Sequence, residues 1–261
     1  MPFTPSHAVV ALPFLRTRLV PAAIAIGAMT PDLPLFVRGT PLSYGHTHDL
    51  AWIVPTAVVA LVLLLVWRAL LRPAVRELSP LWLAARLPRA WDAGARAAWR
   101  ETFSGGWVGA LLLAASLLLG VLSHIAWDAF THEGRGGLVL WPALAEPWGP
   151  MLGFKWLQHG SSAFGLLVIA VWAALWLRRR AVAPVERVTP PAVRVVWWLS
   201  LPVVLAIAWV GGLVVFGGLT PTFTVAHLAY RVLPPACALW GVLTLVLCVI
   251  IAARRRPAPS A

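Results

Sequence analysis

Acid is scarce in this sequence. Of 261 residues nine are Asp or Glu, against 21 Lys and Arg. Cysteine is scarcer still. Cys237 and Cys248 share one late apolar run, too far apart along one helix to bridge, so they say nothing about redox compartment. Charged residues make up only 11% of the chain, hydrophobic ones 60%, and mean hydropathy is +0.82. That balance excludes a soluble domain. The opening Met1-Pro2-Phe3-Thr4-Pro5-Ser6-His7 lacks the basic start and small-residue cleavage site of a secretory signal, so no cleavage is expected. A Gly-x-Ser-x-Gly elbow, a phosphate-binding glycine loop and a nucleic-acid module are all missing. The net charge of +12 therefore needs another reading. Most arginines lie in short segments between apolar runs, the pattern of cytoplasmic loops. The expected partners are membrane lipids, not nucleic acid.

The fold class expected is all-α: a polytopic integral membrane protein of about five transmembrane helices plus an N-terminal re-entrant or interfacial helical hairpin. Residues 5–29 are apolar but interrupted by Pro13, Arg16, Arg18 and Pro21. A straight span would carry two arginines to mid-membrane, at high cost. Two short helices, about 5–15 and 19–29, avoid that and return His7 and Asp32 to one side. Five spans follow, at about 52–70, 107–130, 160–177, 195–217 and 236–252. The basic stretch 72–105 is expected to be a topogenic loop on the membrane surface. The whole chain, 1–261, is read as one membrane domain, with 1–145 bearing the motifs and 146–261 supplying spans three to five.

Orientation follows from the arginines. The segments 72–105, 178–194 and 254–256 are alternate connections, so all three can be cytoplasmic at once. This puts the C-terminus on the cytoplasmic side of the membrane. The loop 31–50, the end of span two with 131–159, and the loop 218–234 then lie on the extracytoplasmic face, and every histidine collects there once the hairpin returns His7.

Four of the nine acids, Asp32, Asp49, Asp128 and Glu133, fall in the two stretches that also hold His46, His48, His124 and His132. His124 and Asp128 are spaced to stand one turn apart on a helix, where an imidazole and a carboxylate can share one metal ion. His132 continues the stripe. His46-Thr47-His48 would converge two imidazoles if extended. The plainer reading is a hydrogen-bonded helix end and a solvated loop.

These residues resemble a known family. His7, Pro31-Asp32, His46-x-His48, Ser123-His124 with Asp128, then a Gly and Leu138-Val139-Leu140-Trp141-Pro142, resemble the bacterial membrane-bound predicted metal-dependent hydrolases described as LexA-regulated. The opening Met1-Pro2-Phe3-Thr4-Pro5-Ser6-His7-Ala8 is similar to a related bacterial membrane family of unknown function. The resemblance covers roughly residues 1–145. The chain departs from the hydrolase pattern where a second Asp becomes Pro34, where His46 is shifted in register, and where Asp49 replaces a Ser.

The resemblance implies the metal ligands His7, Asp32, His48, His124 and Asp128; His46 joins them on spacing alone. Without thiolates the ion is expected to be zinc, with manganese or iron as alternatives. Asp49, His132 and Glu133 are the candidates for general base or for orienting a ligand. Arg38, Arg135 and Lys155 are cations suited to a phosphate. The expected function is a metal-dependent hydrolase acting on a phosphoester of a lipid or envelope precursor. Its rival is a non-catalytic protein with a structural His/Asp cluster. A transporter fits less well, since no inverted repeat is evident.

Overall fold

The computed structural model describes residues 4–255. Met1-Pro2-Phe3 of the opening motif and Arg256 of the last basic group lie outside the described residues. The regular structure of the described residues is helical apart from one small antiparallel ladder, β1 (Pro147–Trp148) paired with β2 (Met151–Leu152). The first helical elements are a 3₁₀ helix, Thr4–Phe14, and α1, Pro21–Met29. Five helices are long and apolar enough to cross a membrane: α2 (Leu50–Leu78), α3 (Gly106–Thr131), α4 (Gly153–Arg178), α5 (Pro191–Phe216) and α6 (Val225–Arg254). The protein is thus a multi-pass, all-α membrane protein, as its composition requires.

Two compact units divide the chain. Unit one takes the chain to Pro34, Leu42–Leu65 and Arg100–Arg179; unit two takes Leu35–Pro41, Val66–Trp99 and the chain from Arg180. α3 and α4 fall in unit one, α5 and α6 in unit two, and α2 is divided between them at Leu65.

In unit one the hairpin forms as the arginines demand. Arg16 and Arg18 sit exposed at its bend. The Thr17 hydroxyl donates to the Phe14 carbonyl (2.9 Å) and closes the turn. α1 then crosses α3 with backbone against backbone. A Cβ added at Gly27 would meet the Leu117 carbonyl oxygen at 2.5 Å, and one at Gly120 the Ile24 carbonyl oxygen at 2.3 Å. Small residues allow helices to approach this closely inside a membrane. Ser116 fixes the crossing by accepting the Val20 N–H (2.9 Å) at the start of α1. This crossing sets α1's last turn, and the Asp32-bearing turn that follows, beside His124.

In unit two α5 and α6 pack where Gly212 leaves room for Val232 and Leu228. Indole N–H groups tie the pair together: Trp240 donates to Ser200 (2.8 Å) and Trp197 to Thr244 (3.1 Å).

Each span is longer than its apolar core suggests. α2 runs on through Arg72, Arg76 and Glu77, all buried, so the stretch after residue 71 is helix and folded structure instead of a surface loop. A π-turn, Trp67–Leu71, precedes Pro73, with the Arg72 N–H donating to the Trp67 carbonyl. α4 begins at Gly153, taking in Lys155, Gln158 and His159. α6 begins at Val225, runs through Pro234 and Pro235, and carries His227 and Arg231. Hydropathy stops at the first polar residue, whereas the backbone keeps its helix as long as its N–H and C=O groups need partners.

Candidate metal centre

Each element of unit one brings one or two polar side chains to the same point. α3 carries His124 and Asp128 on one face. The turn after α1 carries Asp32. A single helical turn, Tyr44–Thr47, is capped by Ser43, whose hydroxyl accepts the His46 N–H, and it sets His48 at its end. The Thr47 hydroxyl donates to the Pro31 carbonyl (2.7 Å), which locks this turn to the Asp32 turn. His7 comes from the 3₁₀ helix and stacks on the His124 ring with centroids 4.1 Å apart. All are buried; His124 is 0% exposed and Asp32 1%.

The hydrogen bonds fix the tautomers. His124 Nδ1 lies 2.7 Å from the Ala28 carbonyl and His48 Nδ1 2.9 Å from the Tyr44 carbonyl. A carbonyl only accepts, so both Nδ1 atoms carry hydrogen. A ring of this tautomer, when uncharged, presents the lone pair of Nε2. Those two Nε2 atoms face each other at 3.2 Å. Asp128 Oδ2 lies 3.4 Å from each, and Asp32 Oδ1 lies 3.7 Å from His124 Nε2. Neither Asp128 oxygen nor His7 Nε2 has a hydrogen-bond partner. Electron pairs crowded together in a buried place repel, and a cation among them removes the conflict. Ligand bonds of about 2.0–2.2 Å at tetrahedral angles set donor atoms about 3.3–3.6 Å apart, and the separations among His48, His124 and Asp128 (3.2, 3.4 and 3.4 Å) lie close to that. Asp32, His48, His124 and Asp128 offer ligand atoms all within 4.8 Å of one another and could hold a metal ion.

His7 stands at the edge of this group. Its Nε2 is 3.7 Å from Asp128 Oδ1, and burial pushes its pKa down to about 4, so the ring is neutral at pH 7. Tyr44, whose ring stacks on His48 (3.9 Å), has its hydroxyl pKa raised by burial and by the Asp128 and Asp32 carboxylates, so it stays protonated.

An open cavity of about 410 Å³ reaches the cluster; His48 and Asp128 form part of its lining, with Asp49 and Arg135 beside them. Of the three cations noted in the sequence, this cavity holds Arg135. Lys155 donates to Gln158 (3.2 Å), and Arg38 donates to the Tyr230 carbonyl (2.8 Å) within unit two.

A family model described as a domain of unknown function (DUF4184) matches residues 1–254. The chain belongs to that family. No curated protein and no solved structure matches it. That match is consistent with the resemblance to a membrane family of unknown function.

The structure does not bring every expected residue of this DUF4184 chain to the cluster. His46 is exposed and stacks on Trp52 (4.2 Å). Residues 44–47 coil instead of extending, and two residues along a helix turn a side chain to the opposite side. Asp49 caps the next turn, accepting the Ala51 N–H (2.9 Å), and faces the cavity. Glu133 is exposed beyond the end of α3. His132 is held in place by a chain of bonds. Lys155 Nζ fixes the oxygen of the Gln158 amide, so the amide nitrogen donates to His132 Nε2 (3.2 Å). Burial lowers the His132 pKa, and the ring then carries its hydrogen on Nδ1, 3.2 Å from the Thr131 hydroxyl oxygen, with Asp128 Oδ2 3.3 Å away.

Gln158 and Thr4, whose hydroxyl donates to Asp32 Oδ2 (2.6 Å), escaped the sequence reading. Neither residue type suggests a ligand. A polar residue one turn inside an apolar span was the one available signal for Gln158. Gln158→Leu is expected to remove the bond that fixes the His132 ring beside Asp128 and weaken metal affinity roughly 10–100-fold, the usual effect of losing an outer hydrogen bond. Titration with a fluorescent metal competitor checks this.

Proposed function

We propose that the protein is a membrane-embedded metal-dependent hydrolase of phosphoesters, acting on a lipid or an envelope precursor at the extracytoplasmic face of the bacterial cytoplasmic membrane. One observation carries the reading: the inward lone pairs of His48 and His124 meet the unpartnered Asp128 carboxylate beside an open cavity that also holds a cation, Arg135. A site built only for stability has no need of an entrance or of Arg135. A donor set of two imidazoles and two carboxylates, with no thiolate, favours zinc over manganese or iron.

A bound divalent ion supplies positive charge that polarises a phosphoryl oxygen and acidifies water at neutral pH. Arg135 binds a second phosphoryl oxygen and orients the ester. Asp49, on the cavity wall, takes the proton of the attacking water as its oxygen bonds to phosphorus and the ester P–O bond breaks. His132 positions Asp128 and does not touch substrate.

The test is turnover of phosphomonoester and phosphodiester lipids in mixed micelles. Asp49→Asn should keep its metal and lose 10²–10⁴-fold in rate, the usual worth of a general base. Any turnover that survives intact when Asp128→Asn has removed the metal ends the catalytic reading. Orientation has its own check. A cysteine at exposed Thr40 is expected to react with an impermeant thiol reagent in intact cells; reaction only after permeabilisation reverses the topology.

A further inference from the structure

Unit two has a cavity of its own, of about 420 Å³, with no part in the metal centre. We propose that it binds an anionic phospholipid, the phosphate held by Arg187 and Arg194 and an acyl chain lying along Trp198 and Leu199. One wall is the C-terminal end of α2 with the residues just after it, Leu78 to Leu81. The other is Arg187 and the first turns of α5, from Arg194 to Leu199. Both helices leave the apolar slab here, so the cavity lies at headgroup depth.

Charge is the first argument. Glu77, 0% exposed, faces Arg255 (3.3 Å) and Arg194 (3.8 Å). Asp92 pairs with Arg76 and Arg255. Glu77 is also saturated by the Val188 and Thr189 N–H groups and the Thr189 hydroxyl. Two carboxylates thus answer four guanidiniums (Arg76, Arg187, Arg194, Arg255), which leaves a surplus of two positive charges beside the cavity. A phosphate neutralises that surplus and accepts the guanidinium N–H groups in charge-assisted bonds.

Preorganisation is the second. Arg187 already donates to the carbonyls of Glu77 (2.6 Å) and Ser79 (2.8 Å), and Arg194 to that of Thr189 (2.9 Å). Side chains fixed before binding lose little entropy when the ligand arrives. The third argument selects a lipid over a free anion. The remaining lining is apolar and open: Leu81 is 65% exposed, Leu199 58% and Trp198 53%. Inorganic phosphate would leave that wall bare, whereas a phospholipid covers both ends, as basic pockets between membrane helices do.

The test uses the full chain in neutral detergent, delipidated, with unfolding temperature and native mass spectrometry as readouts. Phosphatidylglycerol is expected to raise the unfolding temperature and stay bound; phosphatidylcholine and inorganic phosphate are expected to do neither. Arg194→Gln should weaken phosphatidylglycerol binding by about tenfold or more, the worth of a hydrogen bond to a charged group. Val195→Glu removes no bond and puts a repelling carboxylate on the exposed wall, so it should do the same even if Arg194→Gln fails to fold. Arg86→Gln, a charge loss in the same unit away from the cavity lining, should change nothing. Equal stabilisation by phosphatidylcholine or by inorganic phosphate overturns the proposal, and so does an Arg86→Gln loss as large as that of Val195→Glu.

Discussion

His124→Ala empties the metal centre. Wild-type protein purified in detergent without chelators is expected to carry close to one ion per chain by elemental mass spectrometry, and the variant almost none. His124 is the donor whose loss costs most. Its Nε2 lies 3.2 Å from His48 Nε2, 3.4 Å from Asp128 Oδ2 and 3.7 Å from Asp32 Oδ1. Its orientation comes from a main-chain carbonyl, that of Ala28, so no rotamer of another side chain can stand in for it. The loss of affinity should exceed the roughly 10–100-fold seen when only an outer partner is lost. Acid should act in the same direction, because protons compete with the ion for imidazole and carboxylate lone pairs. Occupancy is therefore expected to be full at neutral pH and to fall as pH drops. Wild-type protein that retains no metal after gentle preparation would leave a hydrogen-bonded helix end.

Gly120→Val prevents folding, and Gly120→Ala costs stability at or above the ~1–3 kcal/mol usual for an overpacked core. A Cβ at this position would meet the Ile24 carbonyl oxygen at 2.3 Å, the Ala28 nitrogen at 2.7 Å and the Gly27 Cα at 2.9 Å. All three are backbone atoms, and backbone has no rotamer to yield. The damage reaches the metal centre, because the crossing that Gly120 permits also presents the Ala28 carbonyl to His124. Unfolding temperature and metal content should fall together. Gly109, on the same helix, is the control: a Cβ there meets nothing within 4 Å. Gly109→Ala should be neutral or stabilising by up to about 1 kcal/mol, since alanine is the better helix former. If Gly120→Ala unfolds at the wild-type temperature, α1 and α3 do not touch as described.

Several parts of this molecule were legible in its residues alone. Arg16 and Arg18 between two apolar stretches left no cheaper course than a hairpin. The spacing of His124 and Asp128 put both on one helical face. The shortage of acid made the company of Asp32 and Asp128 with histidines meaningful. Other parts were not legible. His46 went astray because a four-residue helical turn, stabilised by the Ser43 cap, has no signature in so short a motif. Gln158 lay hidden because an amide near the start of an apolar span is a common interfacial residue. The Gly27–Gly120 crossing involves two residues far apart in sequence, and a lone pattern of glycines does not say which helices meet. The ends of α2, α4 and α6 ran past their apolar cores because partners elsewhere in the fold satisfied the polar residues.

The donors at Asp32, His48, His124 and Asp128 are drawn from three separate stretches of chain, with His7 beside them from a fourth. An ion shared among them closes long loops, and a closed loop removes disorder from the unfolded chain. Such an ion would bind the folded form and not the loose one, so metal supply would shift the folding balance. In a starved cell the metal-free chain would be met first by proteases, and its abundance would fall. The same few atoms would then act as a gauge of metal, read out in the lifetime of the polypeptide.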